Sequence, residues 1–90
     1  MIGGAPMAEV VIGTISDFFA RLSVAAVTIS VPLKVGDMIH IKGHTTDIIM
    51  TVDSMQIDNA NVTEAKPGDA IGIKIPDRAR KGDSVFIVTA

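Results

Sequence analysis

Ninety residues, 48% of them apolar, make one domain with a single modest core and exclude a disordered chain. There is no cysteine, which excludes a disulfide framework and thiolate chemistry and fits a reducing, cytoplasmic compartment. A net charge of −2 excludes a broad phosphate-gripping face, and Phe18, Phe19 and Phe86 are too few rings for a base-stacking platform.

Residues 1–8 (MIGGAPMA) carry Gly and Pro without a usable period and are expected to be a flexible tail, with Met7 a second candidate start. No Lys or Arg precedes Arg21, so a basic-headed signal peptide is not expected. The longest uncharged internal run, from Leu22 to Leu33, falls short of the ~20 residues of a membrane helix, and a soluble protein without membrane contact is expected.

The first strand is expected over residues 9–16, with Val10, Val11, Ile12 and Ile15, and a loop (DFFAR) over 17–21. Residues 22–31 (LSVAAVTISV) are β-rich and apolar on both faces. A pattern then recurs: Gly36-Asp37-Met38-Ile39-His40-Ile41, Gly68-Asp69-Ala70-Ile71-Gly72-Ile73 and Gly82-Asp83-Ser84-Val85-Phe86-Ile87. Each is Gly-Asp followed by apolar residues at alternate positions, the period of a half-buried strand. The glycine supplies the positive φ of a tight turn just before the strand; in Lys66-Pro67-Gly68-Asp69 the proline at the second position favours type II. The unequal spacing makes this recurrent turn chemistry and not a solenoid. Between the first two copies, residues 46–58 alternate as Ile48, Met50 and Val52, then change phase to Met55 and Ile57, which predicts a bend near Asp53-Ser54. Loops are expected over 43–46, 59–67 and 76–82, with at most one helical turn over 61–65. Six strands with Gly and Pro punctuation, one of them bent to serve two parts of a wall, predict an all-β protein closed as a six-stranded antiparallel barrel. Ile39, Ile41, Ile71, Ile73, Val85 and Ile87 are expected to share one core.

The ordered set LKVGDMIHIKG, TVDSMQID, AKPGDAIGIKI and ARKGDSVFIV resembles the second domain of translational GTPases such as elongation factor Tu and the initiation factors. Val11-Ile12-Gly13-Thr14-Ile15 is similar to that family's first strand, and the resemblance spans about residues 9–89. It implies a Greek-key barrel and contact with RNA or the ribosome. The family's barrel also occurs as an accessory domain elsewhere, for example attached to some collagenase-like peptidases. The chain departs from the family in lacking a phosphate-cradling GxxxxGK[ST] loop, so neither nucleotide binding nor hydrolysis is expected, and no cofactor.

Lys74, Arg78, Arg80 and Lys81 fall within eight residues with only Asp77 opposing, and are the candidate contact for RNA or another partner; the plain alternative is a solvated loop. Phe18 and Phe19 point opposite ways if extended, one ring entering the core and the other, taken as Phe19, exposed as a contact beside Arg21. Gly36, Asp37, Pro67, Gly68, Asp69, Gly82 and Asp83 are assigned to structural turns. His40, expected in mid-strand, and His44, in the next loop, have Asp37 and Asp47 nearby but no known metal-ligand spacing, so no metal site is assigned. Asn61-Val62-Thr63 is a glycosylation sequon without a secretory signal, and no serine lies in a nucleophile motif. The expectation is a non-catalytic binding module touching RNA or a ribosome-linked partner; the alternative is a protein-interaction or accessory subunit with no RNA contact.

Overall fold

The computed structural model describes residues 8–89. The elements are β1 (Ala8–Phe19), β2 (Val24–Ile29), β3 (Leu33–Lys34), β4 (Met38–Lys42), β5 (Asp47–Thr51), β6 (Met55–Ile57), β7 (Ala60–Val62), β8 (Glu64–Ala65), β9 (Ala70–Lys74) and β10 (Ser84–Thr89). The predicted tail falls outside the described residues except for Ala8, which opens β1. No helix among the described residues is long and apolar enough to cross a membrane.

All pairings are antiparallel. One sheet runs in the order β5-β4-β10-β1-β2-β9-β6-β7, and β3 and β8 form a separate pair. The expected bend is present: β5 pairs with β4, β6 pairs with β9, and residues 52–54 turn the chain between them. The two halves of one segment therefore lie far apart in the sheet order, β5 at one end and β6 next to the last strand at the other, with Val52 fully buried between them. Val52 is held from both sides, its N–H donating to the Asp37 carbonyl at 2.8 Å and its carbonyl accepting from Gly36 at 2.9 Å. The ladder itself does not close on itself among the described residues, so the fold is all-β and antiparallel without a hydrogen-bonded ring.

Alternation places the core. Ile39 and Ile41 of β4, Ile71 and Ile73 of β9 and Val85 of β10 are buried with Ile12, Ile15, Val27, Ile29 and Met55; Ile87 is partly buried against the same cluster. These side chains, all β-branched except Met55, fill one face of each strand, and burying a side chain of this size contributes about 1.5–3 kcal/mol.

Three local expectations are corrected. Residues 17–19 are strand and not loop: a bulge between Ile15 and Asp17 lets β1 run on to Phe19 against β2. The expected helical turn at 61–65 is replaced by β7 and β8. Its cause is a two-residue hairpin turn, with Asp58 and Asn59 both left-handed at φ 52° and 65°, which folds β7 back on β6. Strand 22–31 is shorter than expected, because Ser23 adopts φ 55° in the turn before β2.

Candidate functional site

The Gly-Asp turns set the frame. Gly36, Gly68 and Gly82 have φ of 99°, 94° and 95°. In each turn the aspartate N–H donates to the carbonyl three residues back: Asp37 to Lys34, Asp69 to Lys66 and Asp83 to Arg80. The aspartate side chain answers in reverse, Oδ2 accepting from the N–H of Lys34 at 3.0 Å, Lys66 at 2.7 Å and Arg80 at 2.8 Å. The glycine supplies the backbone angle and the aspartate ties the turn at both ends, which explains the pair as a unit.

The third turn closes the basic loop. Ile75 N–H donates to the Ser23 carbonyl at 2.9 Å, Gly82 N–H to the Ile15 carbonyl at 2.8 Å, and Ile15 N–H to the Asp83 carbonyl at 2.8 Å. The loop thus leaves β9 beside the β1–β2 turn and returns along β1. Ala79 is buried in the core and pins the loop between Arg78 and Arg80. Arg78 and Arg80 line a groove of about 180 Å3 with Thr45, Asp47 and Asp77, and with Lys81 they line a second of about 340 Å3 beside Asp17, Phe18 and Ala20. Lys74 stands apart: it borders a different groove, of about 270 Å3, with Leu22, Val24 and Gly72. The structure brings together three of the four predicted cations.

The tip of the β1–β2 hairpin divides the basic loop from an apolar groove. Phe18 packs against the core, while Phe19 and Leu22 are exposed at 47% and 61%. Leu22 N–H donates to the Phe19 carbonyl at 3.1 Å, which holds both side chains on one tight tip. With Val24, Ala26 and Gly72 they line a groove of about 430 Å3, faced across by Asp58 and Asn59. Gly72 lies between Ala26 of β2 and Gln56 of β6 in register, so the groove floor has almost no side chain there. A Cβ at this position would sit 3.3 Å from Val24 Cγ1.

His40 lies in mid-strand as expected, but its pairing with Glu9 is a feature that the sequence reading lacked. His40 stands at the centre of β4 between Phe86 of β10 and Ile49 of β5, and is only 7% exposed. Nδ1 is 2.8 and 3.0 Å from the two Glu9 carboxylate oxygens, and Nε2 is 2.5 Å from Asp47 Oδ1. The ring stands tilted to Phe86, with centroids 6.2 Å apart. Hydrogen bonding to Asp47, and next to Glu9, raises the imidazole pKa above its ordinary value of 6.5, against an opposing effect of burial. Asp47 was visible as a neighbour in sequence, whereas Glu9 is thirty-one residues away and reaches His40 only because β10 inserts between β1 and β4. Asp37 is occupied in its turn. The two ring nitrogens face different carboxylates, so the three groups do not converge on one point, and no cluster among the described residues has the makings of a metal site.

No protein-family model matches the chain. It is 37% identical over 81 residues to an uncharacterized protease of Methanocaldococcus jannaschii; the match takes in 89% of the chain but 20% of that protease, so the chain spans about a fifth of its relative's length. Two crystal structures of the C-terminal domain of a Geobacillus thermoleovorans protein assigned as a U32 peptidase share the fold. The selenomethionine variant has a TM-score of 0.78 at 12% identity, covering 83% of this chain and 95% of that domain. The other also has a TM-score of 0.78, at 11% identity, covering 84% and 89%. These matches overturn the resemblance to the second domain of translational GTPases, and with it the expected role at RNA or the ribosome. The misleading signal has a physical source: the Gly-Asp turn is a local backbone device, a positive φ tied by a carboxylate, available to any small antiparallel domain.

Proposed function

We propose that the chain is a non-catalytic accessory domain of a U32-type peptidase, and that it holds polypeptide without cutting it. The observation that carries this reading is the extent of the matches: the similarity covers nearly the whole chain, yet only a fifth of the protease relative, while a structure of the same fold is a peptidase's C-terminal domain. The groove beneath Phe19 and Leu22 suits an apolar side chain of an extended segment, and the cations of the loop beyond the hairpin tip suit acidic residues flanking it.

The finer architecture belongs to the same proposal. A closed six-stranded Greek-key barrel, built from β1, β2, β4, the bent β5–β6 segment, β9 and β10, is supported by the position of β5 at one end of the sheet and of β6 beside the last strand at the other, joined by residues 52–54 with Val52 buried.

The test uses the purified chain and fluorescein-labelled denatured casein. Saturable binding by anisotropy, with no release of peptide fragments, is expected, and Phe19→Ser with Leu22→Ser is expected to weaken binding at least tenfold while the circular dichroism spectrum stays that of the wild type. Cleavage by the pure chain overturns the accessory reading. Absence of binding, or equal binding by the double variant, overturns the holding role of the groove.

A further inference from the structure

We infer that His40 is a proton-operated latch that holds Asp47, and with it the edge strand β5, against the sheet. The geometry is a staple across the outer face. From β4, one ring nitrogen reaches over β10 to Glu9 of β1, and the other reaches to Asp47 of β5. Both bonds need an N–H on the imidazole, and only the protonated ring carries two. The neutral ring has one N–H, so one of the two carboxylates must then face a nitrogen lone pair.

Burial decides which bond survives. The Asp47 side chain is 74% exposed and that of Glu9 is 36% exposed. The Asp47 contact is the shorter, but Glu9 brings both carboxylate oxygens to Nδ1 and is the more buried, so leaving it without a donor costs more; the remaining N–H stays with Glu9 and Asp47 is released. Asp47 has somewhere to turn, since it lines the groove that also holds Arg78 and Arg80. Strand β5 is vulnerable to this loss because, among the described residues, it pairs only with β4 and borders the sheet. The other charged groups around the latch are of both signs. Lys42 is the register partner of Asp47, β10 presents uncharged Phe86 and Val88 to this face, and Asp77 accompanies the two arginines in the groove. Lys42, two residues from His40 on β4, is outweighed by the two carboxylates bonded to the ring, and Arg78 and Arg80 share the groove with Asp47, where they draw it once the proton has gone.

The latch is tested by nuclear magnetic resonance on the full chain between pH 5.5 and 9. The His40 Cε1 proton reports the titration, and amide exchange across residues 47–51, corrected for its intrinsic pH dependence, reports β5. The expected result is a fall in β5 protection of about tenfold, as for one charge-assisted hydrogen bond, with the same midpoint as His40 and no matching fall in β9. In Asp47→Asn the β5 protection is expected to be low and flat with pH, and the His40 midpoint to move down. Protection in β5 that does not change through the His40 midpoint overturns the latch. So does a fall that persists unchanged in Asp47→Asn. Neither outcome bears on polypeptide binding, so the latch and the proposed function stand or fall separately.

Discussion

Gly43 lies directly against the carboxylate of Asp83: a Cβ at position 43 would overlap both Oδ1 and Cγ of that side chain. Asp83 is 7% exposed and ties the third turn through the Arg80 N–H, so it has little room to retreat. Gly43→Ala should therefore destabilise the fold by about 1–3 kcal/mol, the range for forcing extra volume into a packed site. Urea denaturation measures it. Because Asp83→Ala removes the obstructing group, the double variant should cost less than the sum of the two single changes. Strict additivity would show that the two residues do not press on each other.

The turn glycines make a second prediction. Gly68 at φ 94° has open space where a Cβ would point, so Gly68→Val meets backbone strain and no steric contact. A β-branched residue in that conformation should cost about 1–3 kcal/mol. Asp69→Ala removes one hydrogen bond at an exposed turn and should cost about 1 kcal/mol. Thermal melts of both variants check the ranking, and a larger loss for Asp69→Ala would place the turn's stability in the side chain instead of the backbone angle.

Much of this was legible in the sequence because it is local. Period-two alternation marked Ile39, Ile41, Ile71, Ile73 and Val85 as core, and the phase change between Val52 and Met55 marked the bend. What escaped was either subtle turn chemistry or contact between distant segments. Asp58-Asn59 is a sequence signal for a tight hairpin, since both residues tolerate the left-handed region, but it straddles the expected strand end at 58 and the expected loop start at 59. The pairing of Glu9 with His40 had no signal at all, because it depends on β10, formed last in the chain, lying between the two strands. The separation of Lys74 from Arg78, Arg80 and Lys81 follows from the strand ending: Lys74 is still in register with Val24, and the three others lie beyond it in the loop.

The His40 pKa, raised above 6.5, has a consequence for global stability. A histidine whose folded pKa exceeds its unfolded value adds stability that is fully present below about pH 6.5 and is lost as pH rises through the folded value. The wild-type melting temperature should therefore fall as pH is raised from 6.5 through the His40 midpoint and level off above it. His40→Gln cannot titrate and should show a flatter profile over that window. A wild-type profile that rises there, or one that His40→Gln reproduces, would remove His40 as its source.

The last prediction concerns the charges around the proposed polypeptide groove. Arg78, Arg80 and Lys81 are gathered on a loop pinned by buried Ala79, whereas Lys74 borders the apolar side with Leu22 and Val24. The three loop cations lie on the far side of the hairpin tip from the groove floor at Gly72, so they should act on a bound segment through longer-range attraction to its acidic residues. Changing all three to Ser should slow association, reduce the salt dependence of binding, and leave dissociation nearly unchanged. Stability should shift little, since exposed loop substitutions usually stay within about 0.5 kcal/mol for each site. Lys74→Ser should do the reverse in miniature, losing the packing of its aliphatic stem beside Leu22 and speeding dissociation. Stopped-flow binding of a labelled acidic peptide with one leucine anchor, at two salt concentrations, separates the two effects. If the triple variant instead speeds dissociation and leaves the salt dependence intact, the cations belong to the groove itself, and the hairpin tip does not divide the surface as the structure indicates.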